Sequence, residues 1–289
     1  MKKITVNHGL RPDFGLTTGT FISFIKSNET TQEQIIEWAY SKGFSWVEVR
    51  DPAVAMSSDY LQSIQELGRR LGLRLHYAWD TIDLLQPDDQ LFYRGVENAL
   101  VFGENTYSRV LAAPWHIKNV PDKKGYNQNE FKLISQLVEQ YTQYAQAKGV
   151  VLCFENAFEP LRGDNCQYFG MSELLERIQD MNTVFDPGNY ANQVQVRVLP
   201  SAEELLAFVR KYKRQIPYFH IKTTAAHSLL PYITSTDDYD MEALFREMAE
   251  VSNALFCLEL PPGKTLQETQ ENIAKSIEFL QSSELVSLS

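Results

Sequence analysis

Four residues able to hold a cation fall at corresponding places in the second half of the chain. Each ends or interrupts a short apolar run: Glu155 in Val-Leu-Cys-Phe-Glu-Asn, Asp186 in Val-Phe-Asp-Pro-Gly-Asn, His220 in Tyr-Phe-His-Ile-Lys and Glu259 in Cys-Leu-Glu-Leu-Pro. A carboxylate or imidazole inside an apolar run is costly to bury without a partner. If the runs are strands, alternate side chains share a face. Cys153 then sides with Glu155, Val184 with Asp186 and Cys257 with Glu259, leaving Leu152, Phe154, Leu258 and Leu260 for the opposite surface. Three carboxylates brought close together cannot all stay ionised unless a cation compensates them. An oxygen-rich shell with one imidazole suits Mn²⁺ or Mg²⁺ ahead of Zn²⁺ or Co²⁺. Singly, each residue has a plainer explanation: a turn former at Asp186, a core histidine at His220, half of an ion pair at Glu155. One ligand per successive run is what points to a metal centre.

The elements that must position these groups alternate along the whole chain. Strands are expected at 18–25, 45–50, 73–78, 108–113, 150–155, 182–186, 216–222 and 254–260. Helices are expected at 31–42, 58–71, 88–102, 128–148, 171–180, 201–213, 239–250 and 265–282, several stopped by glycine (Gly43, Gly72, Gly103, Gly149). Strict strand-then-helix alternation implies a parallel sheet. Eight such units in 289 residues is the count that closes a (β/α)8 TIM barrel, so the expectation is one barrel domain spanning 1–289. The rival, an open doubly wound sheet, lacks its Gly-rich fingerprint after the first strand. Helix-to-strand connections are tight. Three strand-to-helix connections are long, at 156–170, 187–200 and 223–238, and all leave the face on which barrels carry their sites.

Composition narrows the partners. With 27 Lys and Arg against 37 Asp and Glu, the net charge is -10, which disfavours broad binding to nucleic acid or anionic membranes. Three cysteines, Cys153, Cys166 and Cys257, form no paired spacing and fit a reducing cytoplasm. The opening Met-Lys-Lys-Ile-Thr-Val-Asn-His lacks the apolar core of a signal peptide, and no run reaches the length of a membrane span. The P-loop, G-x-S-x-G, H-E-x-x-H and CxxC motifs are all missing, which weighs against the chemistries they serve.

Further residues fall at the same end of the strands. Lys222 shares the face of His220, and is a candidate either to hold a substrate hydroxyl or carboxylate or to pair with the acids. Arg50 shares a face with Glu48, and either reaches the pocket or joins an ion network with Glu48 or Asp51. His76 and His116 lie at the mouth of the expected barrel, where a lone histidine is more often packing than ligand. Trp79 and Trp115 wall an apolar side or simply pack. Arg162 and Arg197, in long loops, are candidates to meet a phosphate, with solvation the plainer role. Cys153 and Cys257 read as small interior fillers.

The ordered motifs Phe154-Glu155-Asn156, Phe185-Asp186-Pro187-Gly188-Asn189, His220-Ile221-Lys222 and Leu258-Glu259-Leu260-Pro261 resemble those of the xylose-isomerase-like TIM-barrel superfamily of sugar isomerases and epimerases. The resemblance implies that Glu155, Asp186, His220 and Glu259 bind one divalent metal. It also implies that Glu155 and Glu259 exchange a proton with a carbon next to a carbonyl, through a metal-stabilised enediolate, on a small sugar or polyol. The chain departs from the pattern twice. Asn189 stands where many members place a substrate-contacting histidine, and Thr223 where many place an aspartate. Substrate contacts are therefore expected from Asn189, Lys222, Arg50, His76 and Trp115. A dehydratase of the same superfamily, acting on an inosose or a dehydroshikimate-type ketone, is the alternative. A barrel that binds ligand without catalysis is another. An apurinic endonuclease is disfavoured by the acidic charge and by only five histidines. Homo-oligomerisation stays open.

Overall fold

The structure is a computed structural model, and it describes residues 14–103, 107–113, 127–155, 169–191, 202–226, 228–235, 241–251 and 254–282. Strands β1 (Phe14–Thr17), β2 (Trp46–Arg50), β3 (Arg74–Asp83), β4 (Tyr107–Ala113), β5 (Val151–Glu155), β6 (Asn182–Phe185) and β7 (Tyr218–Ile221) follow one another in sequence and as neighbours. A two-stranded ribbon, β8 (Thr224–Ala225) and β9 (Ser228–Leu229), follows β7, and β10 (Leu255–Leu258) completes the parallel sheet. The fold is mixed α/β around a strongly curled sheet. Its last strand lies parallel to its first through Phe14↔Phe256, Gly15↔Cys257 and Leu16↔Leu258. Helices separate the strands: α1 (Ile22–Lys26), α2 (Gln32–Ser41), α3 (Ser58–Leu71), α4 (Asp89–Leu100), α5 (Gln128–Ala147), α6 (Met171–Arg177), α7 (Pro187–Ala191), α8 (Ala202–Tyr212), α9 (Met241–Ala249) and α10 (Leu266–Ser282).

Local chemistry starts the helices where the sequence signals them. Thr31 and Gln34 form a reciprocal capping box on α2, and Asn127 and Glu130 form one on α5. The first strand is a correction. Residues 18–25, expected to be extended, form a 3-10 turn over Thr18–Phe21 and then α1, while the strand is Phe14–Thr17. The Thr17 side chain accepts from Gly19 N and starts the turn. Buried Phe21 and Phe24, three apart, then meet the core with helical rather than alternating spacing. The third strand runs to Asp83, five residues beyond its expected end. The expected loop at 187–200 begins as α7, and that at 223–238 contains the β8–β9 ribbon.

The sheet has two chemically distinct surfaces. Leu152, Phe154, Phe185, Phe219, Ile221 and Leu258 belong to one large core shared with the helices. Trp46, Cys153, Val184, Tyr218, Leu255 and Cys257 form a second, small apolar cluster inside the curl. Gly15 makes room for it, because a Cβ there would collide with the Trp46 indole. Polar side chains continue above this plug on the same inward parity: Glu48, Arg50, Glu155, His220 and Lys222 are all buried. No helix among the described residues is long and apolar enough to cross a membrane.

Candidate metal centre

Glu155 ends β5, Asp186 follows β6 directly, His220 lies within β7 and Glu259 follows β10 directly. Parallel pairing puts these positions at one end of the sheet, and inward parity converges them. One ligand atom from each of the four residues lies within 4.8 Å of the corresponding atoms of the others. His220 is the hub. Its Nδ1 is 3.2 Å from Glu155 Oε1, 3.0 Å from Glu259 Oε2 and 4.0 Å from Asp186 Oδ2. Three side chains are essentially sealed from solvent, whereas Glu259 keeps 17% of its surface exposed and marks the open side.

Cations from this chain brace the acids. Lys222 Nζ lies 2.6 Å from Asp186 Oδ2 and 2.7 Å from Glu259 Oε2. Its stem passes over Gly188, where a Cβ would come within 2.8 Å of Lys222 Cδ and nearer still to Cγ, so the glycine is required by this close approach. The Arg50 guanidinium spreads over three carboxylates: Glu259 at 2.7 Å, Asp80 at 2.6 Å and Glu48 at 3.1 Å. Asn189, on α7, donates its side-chain amide to Glu155 Oε1 at 3.0 Å, and its backbone N–H donates to Asp186 Oδ1 at 3.1 Å.

The electrostatics follow from burial and these neighbours. Burial pushes the Asp186 carboxyl up to about 7; Glu155 and Glu259 add to the rise and Lys222 opposes it. Glu259 is held well below the usual carboxylate range, since His220, Lys222 and Arg50 together outweigh its burial. Burial alone would lower the His220 pKa, but Glu259, Glu48 and Glu155 raise it well above the ordinary imidazole value. Lys222 is likewise held firmly cationic by Asp186, Glu259 and Glu155, against the effect of burial. The donor set is three carboxylates and an imidazole nitrogen pointing into them. Hard and borderline divalent cations prefer that chemistry, so the residues present fit such an ion.

The other expected site residues divide. Asn189, Lys222 and Arg50 join the cluster. His76 lies one strand away, opposite Glu48 in the β2–β3 register. It packs edge-on against Trp46, and burial together with Arg74 lowers its pKa to about 3. Trp79 is fully buried in the helix-side core against Phe92 and takes the packing role. Cys153 and Cys257 are buried free thiols of the small inner cluster; Cys153 packs there as a filler, whereas Cys257 also bonds His220. Trp115, His116, Arg162, Arg197 and Cys166 lie outside the described residues. The sequence presents Glu48 only as a partner for Arg50, yet it also lies 3.1 Å from His220 Nε2. Its signal is an acid in the middle of Trp-Val-Glu-Val-Arg, the same pattern that marks Glu155, Asp186, His220 and Glu259.

No family model matches the chain, and no curated protein matches it in sequence. Solved structures match it in fold along nearly its whole length. A sugar phosphate isomerase/epimerase from Parabacteroides distasonis has a TM-score of 0.68 at 13% identity, covering 97% of this chain and 98% of its own. A D-psicose 3-epimerase solved in the presence of D-fructose has a TM-score of 0.66 at 11% identity, covering 95% and 99%. A 3-keto-D-glucoside 4-epimerase from E. coli has a TM-score of 0.62 at 12% identity, covering 91% and 98%. The resemblance read from the motifs therefore holds at the level of the fold.

Proposed function

We propose that the chain is a single (β/α)8 domain acting as a divalent-cation-dependent sugar isomerase or epimerase, which moves a proton on a carbon next to a carbonyl. The observation that carries this reading is the convergence of Glu155, Asp186, His220 and Glu259, with ligand atoms within 4.8 Å of one another. The fold neighbours support it, since they are sugar epimerases and isomerases. Mn²⁺ or Mg²⁺ fits the oxygen-rich shell best, with Zn²⁺ or Co²⁺ next. When bound, such a cation supplies Lewis-acid stabilisation of negative charge on a substrate oxygen.

The chain's own residues supply the proton traffic. Glu155 and Glu259 approach from different strands; one accepts the proton from carbon and the other returns one. Arg50 and Lys222 keep Glu259 anionic and aimed, and the Asn189 amide fixes Glu155. Lys222 and Asn189 also present donors to substrate oxygens at the same cluster. The partly exposed Glu259 faces the side from which a small sugar enters. Free, buried Cys153 and Cys257 suit a reducing cytoplasm.

The test is exchange of solvent deuterium into ketoses, followed by NMR with Mn²⁺ present. The wild-type chain should label one carbon-bound position. Glu155→Gln and Glu259→Gln should each slow labelling by roughly 10²–10⁴-fold. Undiminished labelling in both variants would contradict the assignment of the two glutamates.

A further inference from the structure

Glu48 has no part in the proton transfer proposed above, yet it is among the most heavily engaged side chains of the interior. It is fully buried on β2. Thr17 donates its hydroxyl to Oε1 at 2.6 Å and Arg50 Nη2 donates to the same oxygen at 3.1 Å. The Tyr218 hydroxyl donates to Oε2, and His220 Nε2 lies 3.1 Å from that oxygen. The donors come from β1, β2 and β7, so the carboxylate is built as an acceptor on both oxygens. An imidazole nitrogen facing such an oxygen carries the hydrogen. The opposite nitrogen, Nδ1, is the one aimed at Glu155, Asp186 and Glu259.

In the metal-free chain both ring nitrogens face carboxylate oxygens and both can carry hydrogen; a cation bound at Nδ1 would leave a single N–H, the one that Glu48 accepts from Nε2. We propose that Glu48 is a positioning residue for the candidate metal centre: it holds the His220 hydrogen on Nε2 and so presents the Nδ1 lone pair to the cation shared with Glu155, Asp186 and Glu259. This rests on the metal-centre reading and deepens it. Carboxylate partners of this kind orient metal-binding histidines, and their removal typically weakens metal binding by about 10–100-fold. A role limited to neutralising Arg50 would leave the tautomer and the metal affinity alone.

The experiment uses the full-length chain. Long-range ¹H–¹⁵N NMR of the histidine rings, with Zn²⁺ added, reports which nitrogen carries hydrogen and which carries metal; the His220 signals are those missing from His220→Gln. Calorimetry with Mn²⁺ alone gives affinity for the wild type, Glu48→Gln and Tyr77→Phe. The expected result is hydrogen on Nε2 and zinc on Nδ1 in the wild type. Mn²⁺ binding should be about 10–100-fold weaker in Glu48→Gln and close to wild type in Tyr77→Phe, which removes a buried hydroxyl that bonds Asp51, away from the cluster. Zinc on Nε2, or unchanged Mn²⁺ affinity in Glu48→Gln beside normal wild-type binding, overturns this inference and spares the metal centre. A wild-type chain that binds neither ion overturns both. If Glu48→Gln does not fold, the wild-type ring spectrum decides alone.

Discussion

The two sides of the curled sheet contribute differently to the cluster. The later strands, β5, β6, β7 and β10, carry the four groups that suit a cation: Glu155, Asp186, His220 and Glu259. The earlier strands carry none of these. They supply the brace: Thr17 from β1, Glu48 and Arg50 from β2 and Asp80 from β3. The two sides meet across the interior at Arg50–Glu259 and Glu48–His220. Buried carboxylates tolerate one another only when cations and donors are fixed around them, so the donor half depends on the bracing half. Lys222 and Asn189 are exceptions, braces that rise from the donor side itself.

Substitutions on the two sides should separate binding from support. The largest effect should come from the donor half. His220→Ala removes the hub contacted by all three acids, and Mn²⁺ affinity should fall by more than the roughly 100-fold reached by losing an outer partner; calorimetry measures it, and an unchanged affinity would break the distinction. On the bracing side, Arg50→Met takes the guanidinium away from three carboxylates. Removing one partner of a buried ion pair costs about 3–5 kcal/mol, so urea unfolding should show a loss of that order even without metal. Gly188→Ala is smaller. The added methyl must displace the Lys222 stem, and overpacking of this kind costs about 1–3 kcal/mol; a crystal structure of the variant should show Nζ withdrawn from Asp186 and Glu259.

Acidity tests the same contrast without a substitution. Asp186, pushed up to about 7 by burial, and His220, raised by its acidic neighbours, both hold protons at pH 6 that a cation must displace. Affinity should tighten with pH, by about tenfold per unit for each proton released. Mn²⁺ should therefore raise the Tm more at pH 8 than at pH 6. For the metal-free protein the sign reverses at Asp186. A carboxyl raised from 3.8 to about 7 by folding favours the folded state least above pH 7.

The donor half was legible in the sequence because each candidate ligand is a polar or charged residue set in or at the end of an apolar run, and strand parity fixes its face. The brace was legible only in part: Arg50 and Lys222 stand out as candidates, but the distant partners do not, because the contacts are long-range. Glu48 meets His220 across 172 residues and Arg50 meets Glu259 across 209, while the sequence displays only the Glu48–Arg50 spacing. The alternation of strands and helices was legible too, save at the first strand. There Thr-Gly-Thr-Phe-Ile-Ser-Phe-Ile reads as extended by composition, yet a threonine cap and two phenylalanines three apart turn it into helix. Propensity gave way to capping and burial. Asn189 stands out as a departure from a pattern and a candidate substrate contact; its bond to Glu155 depends on α7 starting at Pro187, immediately after Asp186.

The proposed centre has four side chains, in or just after four strands, sharing a single divalent cation. Anomalous scattering from a crystal grown with Mn²⁺ tests it directly. One peak is predicted, at about 2.0–2.6 Å from oxygens of Glu155, Asp186 and Glu259 and from His220 Nδ1. No peak at the cluster, or a peak bound elsewhere on the chain, would contradict the account.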